Sequence, residues 1–253
     1  MALGGLCLLV SKSVAAEAPS VWRVCLADWS LPPYLYNEPG RQGAVDILLT
    51  EAGHEVGLNV LILRLPAKRC TLMLLADEVD VSVATVTPGN LQRFSFPMHQ
   101  GEVDVQRRLA TVNLVWVKRA GSPLDWDGQR LKGAERPADV KVGIRLGFPA
   151  LRDELQAMGL SVDATALQVT QLFSKLSRSR IDLAVVVQQE VAGALADPSL
   201  DRLVVLPKAM RAIDFYAVAR PGLAPDMQAR VESWWTAIGR RRDAVLPPSS
   251  PPR

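Results

Sequence analysis

Three arginines and one polar turn carry most of the binding chemistry this sequence offers. The stretch DVSVATVTPGN, residues 80–90, sets Val81, Val83 and Val86 in a strand-like run and breaks into Thr85, Thr87, Pro88, Gly89 and Asn90. Apolar runs that end in hydroxyls and turn residues often end at a site. Thr85, Thr87 and Asn90 provide neutral hydrogen-bonding groups, so full positive charge for an anionic partner has to come from Arg69 in LPAKRC, from Arg93 or from Arg145. A guanidinium suits a carboxylate because it is planar and bidentate. Arg145 closes a strand-like run beside Gly147, whereas Arg69 and Arg93 have a plain surface role as the alternative. Trp29 and Tyr34, in ADWSLPPYLY, offer rings that stack on a ligand or pack at a core or rim.

Catalytic chemistry is poorly represented. The chain has two histidines, His54 and His99. No nucleophile–base pair, metal-ligand spacing or phosphate loop stands out. Acid–base work needs tuned groups converging in a cleft, and Glu190 with His99 is the one pairing to examine. The expectation is a binding protein, not an enzyme, without cofactor or metal. Net charge is +3, and the densest basic run, Arg240–Arg242, lacks interleaved aromatics, so no nucleic-acid partner is expected.

The first 16 residues read as an export signal. LGGLCLLV is a short apolar core, and SVAA before Glu17 offers small residues for cleavage. No cationic residue precedes the core, which points to a truncated start. The core is too short for a spanning helix. Leu6 before Cys7 disfavours a lipoprotein. A periplasmic, monomeric protein is expected. Export permits a disulfide, and Cys25 and Cys70 are either bridged or two buried thiols. The proline-rich segment 246–253 reads as a disordered tail.

Positioning these residues requires alternating strands and helices. VWRVCLA (21–27), NVLILRL (59–65) and VDVSVAT (79–85) read as strands, with helical spacing from Val45 through Leu48, Leu49, Ala52 and Val56 and a helix expected after Pro66. VKVGIR (140–145) and IDLAVVV (181–187) repeat the scheme, with helices carrying Leu151, Leu155 and Met158, then Val169, Leu172, Phe173 and Leu176. LADEVDVSV and LSRSRIDLAV share a β-branched residue, Asp, an aliphatic, a small residue and Val, which favours two similar α/β lobes. Asp46, Asp80 and Asp182 look structural. TVNLVWV (111–117) leads into the second lobe, and DFYAVA (214–219) returns before a helix carrying Met227, Val231, Trp234 and Ile238. The expected fold is two doubly wound α/β lobes joined by a two-stranded hinge. Lobe 1 spans 20–110 and 212–245, and lobe 2 spans 111–211.

Four stretches, VCLADWSLPPYLYNEPGRQGAVDILLTEAG, LRLPAKRCTLMLLADEVDVSVATVTPGNLQRFSFP, VGIRLGFPALRDELQAMGLSV and LFSKLSRSRIDLAVVV, resemble in order and spacing the family 3 extracellular solute-binding proteins. That family has the type 2 periplasmic binding fold of polar amino acid importers. The resemblance implies a small ligand, usually an amino acid, closed between the lobes and delivered to an ABC permease; a membrane sensor is the other partner considered. A sensor paralogue that lost transport, or a dehydratase-like enzyme, are the alternatives on this fold. It also implies three contacts that this chain alters. Asn90 stands where the family's carboxylate-clamping arginine is expected, leaving Arg145 as the better replacement. Gly147-Phe148 replaces Gly-Thr or Gly-Ser at a helix opening. Gln188, Gln189 or Glu190 takes the place of the ammonium-binding aspartate.

Overall fold

The computed structural model describes residues 21–194 and 202–246. The expected signal segment, Cys7 and the tail beyond residue 246 lie outside the described residues. The chain forms β1 (Val21–Ala27), α1 (Ala44–Glu55), β2 (Asn59–Leu65), α2 (Ala67–Leu75), β3 (Val81–Thr85) and α3 (Pro88–Arg93). A ribbon of β4 (Met98–His99) and β5 (Glu102–Val103) precedes the long β6 (Ala110–Arg119), and a second ribbon pairs β7 (Asp125–Trp126) with β8 (Leu131–Lys132). Then come β9 (Lys141–Arg145), α4 (Pro149–Ala157), β10 (Ser161–Ala166), α5 (Val169–Ser177), β11 (Leu183–Val187) and α6 (Gln188–Ala194). The chain finishes with β12 (Leu203–Val205), β13 (Arg211–Ala219) and α7 (Pro225–Val245).

The main sheet runs β10-β9-β11-β6-β13-β3-β1-β2, with β12 also on β6. Each end of that order is one lobe. In the first, β1 is parallel to both β2 and β3; in the second, β9 is parallel to both β10 and β11. The lobes join where two long strands exchange partners. Leu114 of β6 faces Arg211 of β13 on one side and Val187 of β11 on the other. Phe215 of β13 faces both Ala110 and Thr85. The protein is therefore a two-lobed α/β fold with a two-stranded antiparallel hinge.

The strands form because their apolar residues are covered on both faces. In β1, Trp22, Val24 and Leu26 pack towards α1 and α7, while Cys25 joins a cluster with Cys70 and Leu74 of α2. The α7 helix closes the first lobe with paired tryptophans. Trp234 donates to the Leu49 carbonyl at 3.1 Å and Trp235 to the Ala217 carbonyl at 2.7 Å, so two large apolar surfaces are buried without orphaning their N–H groups. Proline in the first turn of α7 has no N–H to lose there.

The three aspartates are structural. Asp46 accepts from the Gly43 backbone N–H, capping α1, and pairs with Arg64. Asp80 accepts from the Arg23 N–H at 2.7 Å and returns its own N–H to the Arg23 carbonyl; Asp182 does the same with Lys141 at 2.9 Å. The short similarity read between the two halves is thus one device built twice, an aspartate tying the start of the third strand of each lobe to the start of the first.

Candidate functional site

The carboxyl ends of β1, β3, β9 and β11 converge between the lobes, where ligands of open α/β sheets sit. From the first lobe, the segment after β1 delivers Trp29 and Tyr34. An isolated bridge between Leu31 and Leu35 folds this segment back, and the Val45 N–H donates to the Tyr34 carbonyl at 3.0 Å. Gly43 permits the close approach: a methyl group there would lie 2.2 Å from the Tyr34 carbonyl oxygen. Tyr34 is held against the start of α1 and is 3% exposed. Burial pushes its hydroxyl pKa up, opposed by a hydrogen bond with Gln189 of the other lobe.

From the second lobe, Arg145 ends β9 and its guanidinium lies between two rings, 5.0 Å from the Trp29 centroid and 5.2 Å from that of Phe148. Those rings meet edge-on at 6.4 Å, so the cation is shared by an aromatic from each lobe. Such contacts contribute about 1–2 kcal/mol when partly desolvated. Arg145 Nη2 also lies 2.9 Å from Glu190 Oε1, with the two side chains 13% and 8% exposed. The pair is Coulombic more than directional: Nη2 is buried with no acceptor along an N–H, and Gln189 Oε1 is likewise buried without a donor. Glu190 Oε2 accepts from the Val187 N–H at 3.3 Å. Burial raises the Glu190 pKa, and Arg145 opposes that rise. Gln188, beside them, accepts from Asn113 Nδ2 at 2.9 Å, fixing α6 to β6 of the hinge.

The polar turn after β3 is occupied with itself. Thr87 caps α3 by accepting from the Asn90 N–H at 3.1 Å, and Asn90 Nδ2 donates to the Thr85 carbonyl at 2.9 Å. A short neutral side chain in that position knits the loop. Arg69 and Arg93 are exposed on α2 and α3 and, among the described residues, share no hydrogen bond, ion pair or ring contact with Arg145 or its neighbours. Gly147 has φ +99° with open space around it, so the turn after β9 needs glycine for its backbone. His99 is exposed on β4 beside Asp104, whereas Glu190 is buried between the lobes, so the pairing considered for acid–base work does not form. Among the described residues, no cluster of His, Cys, Asp or Glu could hold a metal. Glu190 as the counter-ion of Arg145, and Asn113 as the support of Gln188, are contacts between distant positions of the chain that no local spacing announces.

Cys25 and Cys70 are joined in a disulfide, with Cα atoms 5.4 Å apart. Two concavities of the described surface lie elsewhere: about 550 Å³ around Arg119, Arg136 and Asp182, and about 210 Å³ around Trp22, Arg23 and Asp80. The first lies at the amino ends of β9 and β11, the second at the amino ends of β1 and β3. The carboxyl ends, facing the other lobe, carry the side chains just described.

No family model matches the chain, and no curated protein matches it. Solved structures do. The arginine-binding protein of T. maritima is similar over 89% of this chain and 93% of its own, at 17% identity and a TM-score of 0.60. A histidine kinase sensor domain with similarity to periplasmic binding proteins is 19% identical over 90% of this chain and 98% of its own, TM-score 0.62. An ancestral amino acid-binding protein, a precursor of cyclohexadienyl dehydratase, is 17% identical over 89% and 93%, TM-score 0.63. These likenesses show the fold: this chain has the two-lobed architecture of the type 2 periplasmic binding proteins.

Proposed function

We propose that the chain is an exported, periplasmic member of the family 3 solute-binding proteins that captures a small carboxylate-bearing, amino-acid-like solute between its lobes and presents it to an ABC permease. One observation carries this reading: Trp29 and Tyr34 of one lobe converge on Arg145, Phe148 and Gln189 of the other, at the carboxyl ends of both sheets. A guanidinium is the group for a carboxylate, two rings cover an apolar portion, and the unpaired Gln189 oxygen accepts a donor from the solute. Arg145 takes over the anion contact, because Asn90 is bound into its own loop. Thr85, Thr87, Asn90 and Gly147 line the approach; Arg69 is the remaining candidate for long-range charge.

A second reading, a periplasmic sensor domain, is favoured by the direct contacts between the lobes and by likeness to a kinase sensor domain. Catalysis is disfavoured because, among the described residues, the cleft brings no second titratable group to Glu190 beyond Arg145 and Tyr34 through Gln189. A thermal-shift screen of amino acids, simple carboxylates and amines tests the capture reading. Stabilisation by carboxylates that disappears in Arg145→Ala is the expected result. Stabilisation by amines alone, retained in that variant, would overturn it.

A further inference from the structure

A solute reaching Arg145 meets a carboxylate already there. Glu190 stands 2.9 Å from Arg145 Nη2, both side chains are nearly withdrawn from water, and the guanidinium they share is clasped by a ring from each lobe. Removing one partner of a desolvated pair leaves the other buried and uncompensated. The contact is nonetheless imperfect. Nη2 sends no N–H along a line to an acceptor, and Glu190 spends its second oxygen on the Val187 N–H. A free carboxylate, able to turn in the cleft, can take the bidentate geometry that Glu190, fixed to the first turn of α6, does not reach.

We propose that Glu190 is an internal anion standing in for the solute's: within the second lobe it locks Arg145 against Trp29 of the first, and capture exchanges this carboxylate for that of the solute. The location of the exchange rests on the solute-capture reading; the locking of Arg145 against Trp29 by Glu190 does not. Trp29 serves both states, because it stacks on Arg145 whichever anion pairs with it. Glu190 thereby sets specificity. A neutral analogue gains nothing by displacing it, and a weakly basic or badly shaped anion fails to compete.

Two measurements on the full chain test this. The first is small-angle scattering of wild type, Glu190→Gln and Arg145→Ala without added solute. A larger radius of gyration in both variants is expected, and unchanged dimensions would overturn the internal lock. The second is calorimetric titration with succinate and with neutral succinamide. Glu190→Gln should bind succinate about tenfold or more tightly than wild type, since the competing charge is gone while the side-chain shape remains; succinamide should not distinguish them. Equal or absent succinate binding by Glu190→Gln overturns the exchange. If the variants open but no variant binds succinate or any amino acid, the capture reading fails while the lock stands. Circular dichroism establishes that each variant is folded, and Arg145→Lys, which keeps the charge but loses the planar fork, should restore closure only partly.

Discussion

The two lobes share one plan and secure it by different chemistry. The pairs Val24–Val81 and Cys25–Ser82 in the first lobe correspond to Val142–Leu183 and Gly143–Ala184 in the second, so Cys25 and Gly143 occupy the same place. Their helical neighbours correspond too: Cys70 is the fourth residue of α2, and Leu172 the fourth of α5. Where the first lobe joins strand to helix by a disulfide, the second lets Leu172 and Ile181 close over a bare glycine. A methyl on Gly143 would lie 3.0 Å from Leu172 Cδ2 and 2.4 Å from Ile181 Cδ1. The cleft ends differ in the opposite sense. The first lobe offers a neutral turn bound into itself, and the second holds the ion pair. One lobe is covalently fastened, and the other carries the buried charge proposed to meet a solute.

The largest expected effect separates the fastenings. The disulfide closes a separation of 45 residues, which by chain entropy contributes about 3–4 kcal/mol. Paired Cys25→Ala and Cys70→Ala substitutions should lower the urea midpoint accordingly, and reductant should no longer affect the variant. A loss under about 1 kcal/mol would show that the bond contributes little to this lobe.

Next is the matching position of the second lobe. Gly143→Ala forces Ile181 and Leu172 aside in a core where both are fully buried, and overpacking of this kind costs about 1–3 kcal/mol. Chemical denaturation is the check. A neutral or stabilising outcome would mean that the second lobe is loosely packed where the first is bonded.

The paired aspartates sharpen the comparison further. Asp80 holds the Arg23 backbone and its guanidinium, whereas Asp182 holds the Lys141 backbone with Arg119 only at 4.0 Å. Asp80→Ala should cost about 1–2 kcal/mol and Asp182→Ala about 1 kcal/mol or less, given the greater exposure of the second. Thermal melts giving the reverse order would break the equivalence drawn between the two devices.

The smallest effect concerns acid. Burial would raise the Asp163 pKa, but Lys175 and Thr165 outweigh it and hold the carboxyl at about 2. A carboxyl depressed in the folded state stabilises above its unfolded pKa and loses that contribution as pH falls from about 4 to about 2. After solvent screening this is about 1 kcal/mol. Asp163→Asn should flatten the acid limb of stability in that window and leave the disulfide-bonded lobe unaffected; an unchanged limb would show the pair to be inert.

Much of the architecture was legible because short apolar runs of strand length announce themselves. VWRVCLA and NVLILRL became β1 and β2 with unchanged bounds. Strand β10, SVDATA, was not read as one, since it spends Asp163 and Thr165 on Lys175 in place of apolar residues. The short β12 lacks length for any pattern. At the cleft, Arg145 was legible from its position at a strand end, and Trp29 and Phe148 from the resemblance of their loops to those of the family. Their mutual arrangement was not, because it depends on how the hinge brings one lobe to the other. Asn90 shows the same limit: its identity is plain in the sequence, but its hydrogen bond to Thr85 exists only once α3 has formed.

The claim that Arg145 is the anion contact of an interlobe solute site is tested most directly by calorimetric titration of the common amino acids and small carboxylates into wild type and Arg145→Ala. The account predicts that at least one carboxylate-bearing solute binds wild type and weakens by one to two orders of magnitude, roughly 1.4–2.7 kcal/mol, when the guanidinium is removed. Submicromolar binding of any such solute at equal affinity by both proteins would contradict it.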